Sequence, residues 1–106
     1  MNRQQQIDEF LLGAHKLALS RLRAQPERLQ DVAALLARWR RQAGETRADA
    51  YWDEWNRLIA EGVDAIEREV CSAGDHAAVL RSVSPMSVLI SQRERSELLR
   101  QARQSS

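Results

Sequence analysis

The sequence predicts an all-α fold: a compact bundle of about five or six helices, with the first three as its body and shorter helices at the C-terminal end. Two observations carry this. Apolar residues recur at three- and four-residue steps through most of the chain, and the breaks between these stretches carry helix-ending and helix-capping residues. With 106 residues, 43% of them hydrophobic, the chain can form one core without metal or disulfide support.

In the first helix, over residues 4–23, Ile7, Leu11, Ala14, Ala18 and Leu22 form the inward stripe, and Phe10 and Leu17 widen it. His15 falls at the stripe's edge and is expected to be partly exposed. Pro26 ends this helix and suits the first position of the next, where its missing N–H costs nothing. The second helix, over residues 26–42, points Leu29, Val32, Ala33, Leu36, Trp39 and Ala43 inward. Gly44 fits the left-handed position that closes it, and the short joint predicts antiparallel packing on the first helix.

Thr46 and Asp49 resemble a capping box, and a long third helix follows on the stripe Tyr51/Trp52, Trp55, Leu58/Ile59, Gly62/Val63, Ile66 and Val70. Because the apolar spacing continues through Ile66 and Val70, Gly62 is expected to stay inside that helix and to admit a close neighbour. Four-residue spacing predicts outer-face pairs Asp53/Arg57, Arg57/Glu61 and Asp64/Arg68. Gly74 reads as a C-terminal cap and Asp75 as the N-cap of a short helix burying Ala77, Leu80 and Val83. Ser84 caps a further turn opened by Pro85, carrying Met86, Val88, Leu89 and Ile90. Ser91 and Glu94 form a Ser-x-x-Glu capping box opening a last helix with Leu98, Leu99 and Ala102 inward. The whole chain, 1–106, reads as one domain whose tail frays after about residue 103.

Charge is unevenly distributed around a net of +1. Residues 1–47 carry nine cations against five carboxylates, residues 48–80 two against eight, and residues 81–106 five against two. An acidic middle between basic ends suits a compact bundle with complementary faces, and the small net charge argues against a general nucleic-acid coat. The apolar runs are too short to span a membrane. The polar residues 1–6 lack a secretory core, and the single Cys71 cannot form an internal disulfide. The expected location is the cytoplasm.

Catalytic patterns are missing from the sequence. His15, His76 and Cys71 have no metal-ligand spacing, and Asp53 and Glu54, being adjacent, point to different sides of a helix. The serines lack a nucleophile-elbow context, and no glycine-rich phosphate loop occurs. The expectation is a protein without catalysis, cofactor or metal. Two stretches hold more detail than packing requires: Tyr51-Trp52-Asp53-Glu54-Trp55, and the loop through Arg81, Ser84, Pro85 and Met86. Tyr51, Trp52, Trp55, Arg81, Ser84, Pro85 and Met86 are accordingly the candidate partner-binding residues. A DNA-binding alternative would use Arg38, Arg40 and Arg41 around Trp39, with Gln92, Arg93, Arg95 and Arg100 of the last helix as base and phosphate contacts. A third reading is a homodimer joined through residues 86–90.

Trp39-Arg40, Tyr51-x-x-Glu54-Trp55, Leu80-Arg81-x-Val83-Ser84-Pro85 and Glu94-Arg95 together resemble a family of small all-helical bacterial proteins encoded beside nucleotidyltransferase-like proteins of the toxin–antitoxin kind. The resemblance covers roughly residues 10–100. It departs at Val83, where the family carries a second Ser, and at Met86, where it carries an aromatic. It implies an antitoxin or accessory role, with the nucleotidyltransferase-like protein as partner.

Overall fold

The computed structural model describes residues 3–104. Six α-helices follow in order: α1 (Arg3–Ala24), α2 (Leu29–Ala43), α3 (Asp49–Glu61), α4 (Val63–Val70), α5 (Asp75–Ser82) and α6 (Gln92–Gln104), with 3₁₀ turns at Pro26–Arg28 and Pro85–Leu89. The all-α bundle read from the sequence is what the chain forms. Packing is shared beyond the first three helices: α1 is the axis, flanked by α4, α5, α6 and the Pro85–Leu89 turn, while α2 lies mainly on that turn and on α3. None of the helices described is long and apolar enough to cross a membrane.

The core is built where the stripes converge. Ala18, Leu19 and Leu22 of α1 meet Val32 and Leu36 of α2, Trp52, Trp55 and Leu58 of α3, and Ile66 and Val70 of α4; Leu80, Met86 and Leu89 close it from the other end. Trp55, Leu58, Ile66 and Leu80 are fully enclosed. Burying a side chain of this size contributes roughly 1.5–3 kcal/mol, so the α3–α4 face anchors the bundle.

Several expectations are corrected. The long third helix is two helices. Gly62 takes φ +109°, closing α3 with its N–H on the Leu58 carbonyl at 2.9 Å and opening α4 by accepting from Ile66 N–H at 3.1 Å. A Cβ there would meet nothing within 4 Å, so the glycine serves a backbone turn and not a close approach. Apolar spacing stayed in phase because both pieces face the same core. Gly74, at φ +108°, is the cap before α5, whereas α4 already ends at Val70 and Asp75 lies inside the helix without a capping side-chain bond. Ile7 and Ala43, expected inward, are exposed. Ile7 lies in an open groove beside Leu99 and Ala102 of α6, which covers it only in part, and Ala43 lies in the last turn of α2, outside the core.

The surface pairs change as well. Asp53 bonds Arg40 of α2 at 2.8 Å, and Arg23 of α1 holds both Asp64 and Glu67 of α4 at 2.9 and 2.8 Å. Of the pairs expected along the third helix, Arg57–Glu61 forms, at 2.7 Å; Asp53 and Asp64 reach across to the basic N-terminal helices instead. Charge complementarity between the basic end and the acidic middle thus takes the form of interhelical bridges. Each is screened by solvent, so it contributes little to stability.

The box expected at Thr46 and Asp49 does not cap α3: Ala48 is the N-cap and no side chain bonds it, while the Thr46 backbone N–H and hydroxyl both donate to the Asp49 carboxylate, at 3.3 and 3.2 Å. The other caps form as expected. Gly44 ends α2 at φ +66°. Ser84 Oγ accepts from Met86 N–H at 3.0 Å, with Pro85 opening the 3₁₀ turn. Ser91 and Glu94 close a reciprocal box, Ser91 N–H to Glu94 Oε1 at 2.9 Å and Glu94 N–H to Ser91 Oγ at 3.1 Å. Helix α6 continues through Gln104; the rest of the expected fray, residues 105–106, lies outside the described residues.

Candidate functional site

The two stretches singled out in the sequence are bonded to each other. Trp55, at the centre of α3, donates its indole N–H to the Leu80 carbonyl at 2.9 Å, and Trp52 donates to the Val83 carbonyl at 3.0 Å. Buried indole N–H groups require such acceptors. Here they fasten the end of α5 and the start of the following loop to α3. Glu54 faces the same way and accepts from His76 Nε2 at 2.8 Å, while Tyr51 packs beside the His76 ring. Trp39 stays half-buried against Trp52, with ring centres 6.2 Å apart. The aromatics therefore form a clamp on α5. Trp52 and Trp55 are buried, so of these three candidates only the half-buried Tyr51 reaches the surface.

The loop held by this clamp frames a cavity of about 170 Å³ between α1, α5, the Pro85–Leu89 turn and the first turn of α6. Phe10, Leu11 and Ala14 line one side, and Met86 and Ile90 the other. The polar lining comes from His15, Arg81, Arg95 and the hydroxyls of Ser82, Ser84 and Ser87. Arg81, Ser84 and Met86 from the sequence-derived partner set come together here. Pro85 is buried in the turn behind them. Arg95, read from sequence as a DNA contact, joins them at the mouth, its guanidinium 5.2 Å from the Phe10 ring centre.

His15 is the residue the sequence reading placed elsewhere. It is 4% exposed rather than at the rim. Its Nδ1 lies 2.7 Å from the Leu11 carbonyl, so Nδ1 carries the proton and Nε2 presents a lone pair; Nε2 is buried with no partner among the described residues. Burial, opposed by the Leu11 bond and assisted by the nearby Arg81 charge, lowers its pKa to about 4. The imidazole is thus neutral at physiological pH. A signal was present: His15 follows Leu11 by four positions and precedes Leu22 by seven, a placement inside the stripe.

Arg81 is 7% exposed. One terminal nitrogen, Nη1, donates to the Val70 and Ser72 carbonyls at 2.6 and 3.1 Å, at the C-terminal end of α4 where cations are favoured. Its Nε–H is buried and unbonded, and no carboxylate pairs with it among the described residues. A buried guanidinium without an anion is costly. The Ser82 hydroxyl is committed to the Val79 carbonyl at 2.7 Å, and Ser84 Oγ serves as a cap acceptor. No Asp or Glu lines the cavity.

No known protein family, curated protein or solved structure matches the chain.

Around the cavity, Glu94 joins its cap to α1 through a two-pronged ion pair with Arg21, whose Nη1 also donates to the Leu89 carbonyl at 2.8 Å. The Arg21 and Ser91 bonds hold the Glu94 carboxyl down at about 2. The site's frame is therefore tied at both ends, by tryptophans on one side and by Arg21 and Glu94 on the other. The remaining DNA candidates lie on two separate helices. On α2, Arg38 and Arg41 are exposed and Arg40 is bound to Asp53; on α6, Gln92 and Arg93 are exposed and Arg100 pairs with Glu97. Helix α6 lies along α1, and a five-residue 3₁₀ turn separates it from α5, unlike the tight two-helix unit of a helix-turn-helix. Cys71 is half-buried, and burial together with Glu67 raises its thiol pKa, the opposite of an activated thiolate.

Proposed function

We propose that this chain is a non-catalytic protein-interaction domain that receives a partner at the cavity between α1, α5 and the Pro85–Leu89 turn. The observation that carries the reading is the buried Arg81 guanidinium, which lines this cavity with no carboxylate of the described residues against it. The residues around it favour binding over chemistry. His15 is neutral and fixed by the Leu11 carbonyl, with no carboxylate beside it in the lining to form a relay. The apolar walls and rim resemble the mixed surfaces that anchor partner side chains. A nucleotidyltransferase-like protein, the partner class that the resemblance implies, is the first to test.

Co-expression with the product of the adjacent gene, followed by size-exclusion chromatography, tests the proposal. Co-elution of the two chains at micromolar concentration is the expected result, and it should weaken when Arg95 is changed to Gln at the cavity mouth. Separate elution under those conditions refutes it.

A further inference from the structure

We infer that the cavity takes the C-terminal residue of a partner polypeptide, its carboxylate against Arg81, its backbone N–H against His15 Nε2, and an apolar side chain between Phe10 and Met86. This rests on the protein-interaction reading above and names the chemistry of the docked group. Three features of the cavity select it.

The first is charge. Arg81 and Arg95 are the charged residues of the lining, and the buried one lacks a counter-ion among the described residues. An anion compensates that charge in a way that a neutral group does not. The Ser87 hydroxyl and the free hydroxyl proton of Ser84, whose oxygen already accepts from Met86 N–H, supply further donors to a carboxylate.

The second feature is the complementary pair of unsatisfied atoms. Among the described residues Arg81 Nε–H lacks an acceptor and His15 Nε2 lacks a donor, and both atoms are sealed from solvent, so a docked group reaches them as the two side chains turn towards it. A carboxylate alone meets the first and presents its lone pairs to the second. A polypeptide C-terminus carries its last N–H two bonds from the carboxylate carbon, and so offers a donor and an acceptor from one small group. An Asp or Glu side chain does not place an N–H so close.

The third is size. At about 170 Å³, the cavity falls below the roughly 300–1,000 Å³ usual for cofactor and nucleotide sites. It suits one residue entering by its end, with Phe10, Leu11, Met86 and Ile90 against the side chain. Capture of a chain terminus by convergent donors is an established recognition mode.

N-acetyl-leucine is the minimal probe, because it holds carboxylate, amide N–H and apolar side chain together. Titrated in the millimolar range suited to so small a ligand into the ¹⁵N-labelled full chain, it should saturably shift the Arg81 Nε–H and His15 ring signals. N-acetyl-leucinamide, which lacks the carboxylate, should bind at least about tenfold more weakly, and 4-methylpentanoate, which lacks the N–H, should also be weaker. His15→Leu should abolish the preference for N-acetyl-leucine over 4-methylpentanoate. Arg95→Gln, at an exposed position, should weaken both acids several-fold. Circular dichroism would establish that each variant is folded.

Absence of a saturable shift overturns the inference, as does equal binding of the carboxamide. Equal binding of inorganic phosphate would mark a general oxyanion site and overturn it too. Tighter binding of free leucine than of N-acetyl-leucine would assign the cavity to a free amino acid, again against the inference. A free-state spectrum showing Arg81 Nε–H already bonded to His15 Nε2 would also overturn it, because the two atoms would then satisfy each other. The two readings fail separately. A partner that co-elutes while N-acetyl-leucine leaves the cavity signals unmoved defeats the terminus and spares the interaction; selective N-acetyl-leucine binding without any co-eluting partner does the reverse.

Discussion

Changing His15 to Leu should remove a specific acid sensitivity while leaving the fold intact. In the folded chain the imidazole pKa is about 4, against 6.5 as its ordinary value, because burial disfavours the charged ring. The folded form therefore binds fewer protons than the unfolded form between these values. The stabilising contribution is complete above pH 6.5, declines as the pH falls through that window, and levels off below about 4. A shift of this size corresponds to on the order of 3 kcal/mol in total, of which about 2 kcal/mol is already lost at pH 5. For a domain of this length that lowers the melting temperature by on the order of 10 °C.

Leucine is close to histidine in volume and cannot titrate. At pH 7.5 the variant loses the Nδ1–H bond to the Leu11 carbonyl but also loses the unpartnered Nε2. It should be as stable as the parent or up to ~2 kcal/mol more so. Urea unfolding of both proteins at pH 7.5 and 5.0, followed by tryptophan fluorescence, measures the difference. Glu94, held down at about 2 by Arg21 and Ser91, contributes at lower pH, with stability present above 4.5 and lost as the pH falls towards 2. Its effect stays out of the chosen window. Equal losses in the two proteins between pH 7.5 and 5.0 would refute the buried, neutral imidazole.

Gly62→Ala should destabilise the chain by about 1–3 kcal/mol, because φ +109° with ψ −178° belongs to a region that essentially only glycine occupies. In an unbroken helix the same change would stabilise by up to ~1 kcal/mol, so the sign of the change in urea midpoint separates a broken from a continuous helix. Trp55→Phe should cost roughly 2–4 kcal/mol, since it strands the Leu80 carbonyl and opens space at a fully enclosed position. Amide exchange over residues 80–86 should quicken in that variant, and unchanged exchange there would argue against the clamp.

Local chemistry determined a large part of this protein. Glycine at 44, Ser84 with Pro85, and Ser91 with Glu94 set chain breaks whose partners lie within a few residues, and the apolar stripes marked which faces turn inward. Gly62 shows where such reasoning stops. A stripe that keeps its phase cannot tell one helix from two that share a core, and only the backbone angle at the glycine separates them. The surface pairs Asp53–Arg40 and Asp64–Arg23 were hidden for a related reason: four-residue spacing lists neighbours along a helix, while the actual partners come from another helix 13 and 41 positions earlier in the chain.

The cavity lies at the far end of that scale. Arg81, Ser84 and Met86 stood out in sequence because a loop rarely needs so much specific detail, yet nothing in their spacing joined them to His15 or Arg95. The sequence by itself determined the helical class, the caps at Gly44, Ser84 and Ser91, and most of the residues that form the core. The tertiary structure decided which polar groups would be enclosed together, because burial and charge compensation depend on the helices that close over a residue. It set His15 beside Trp55 and Arg81 and left Arg81 without a carboxylate among the described residues, because docking α1 against α5 buries both and brings no Asp or Glu with them.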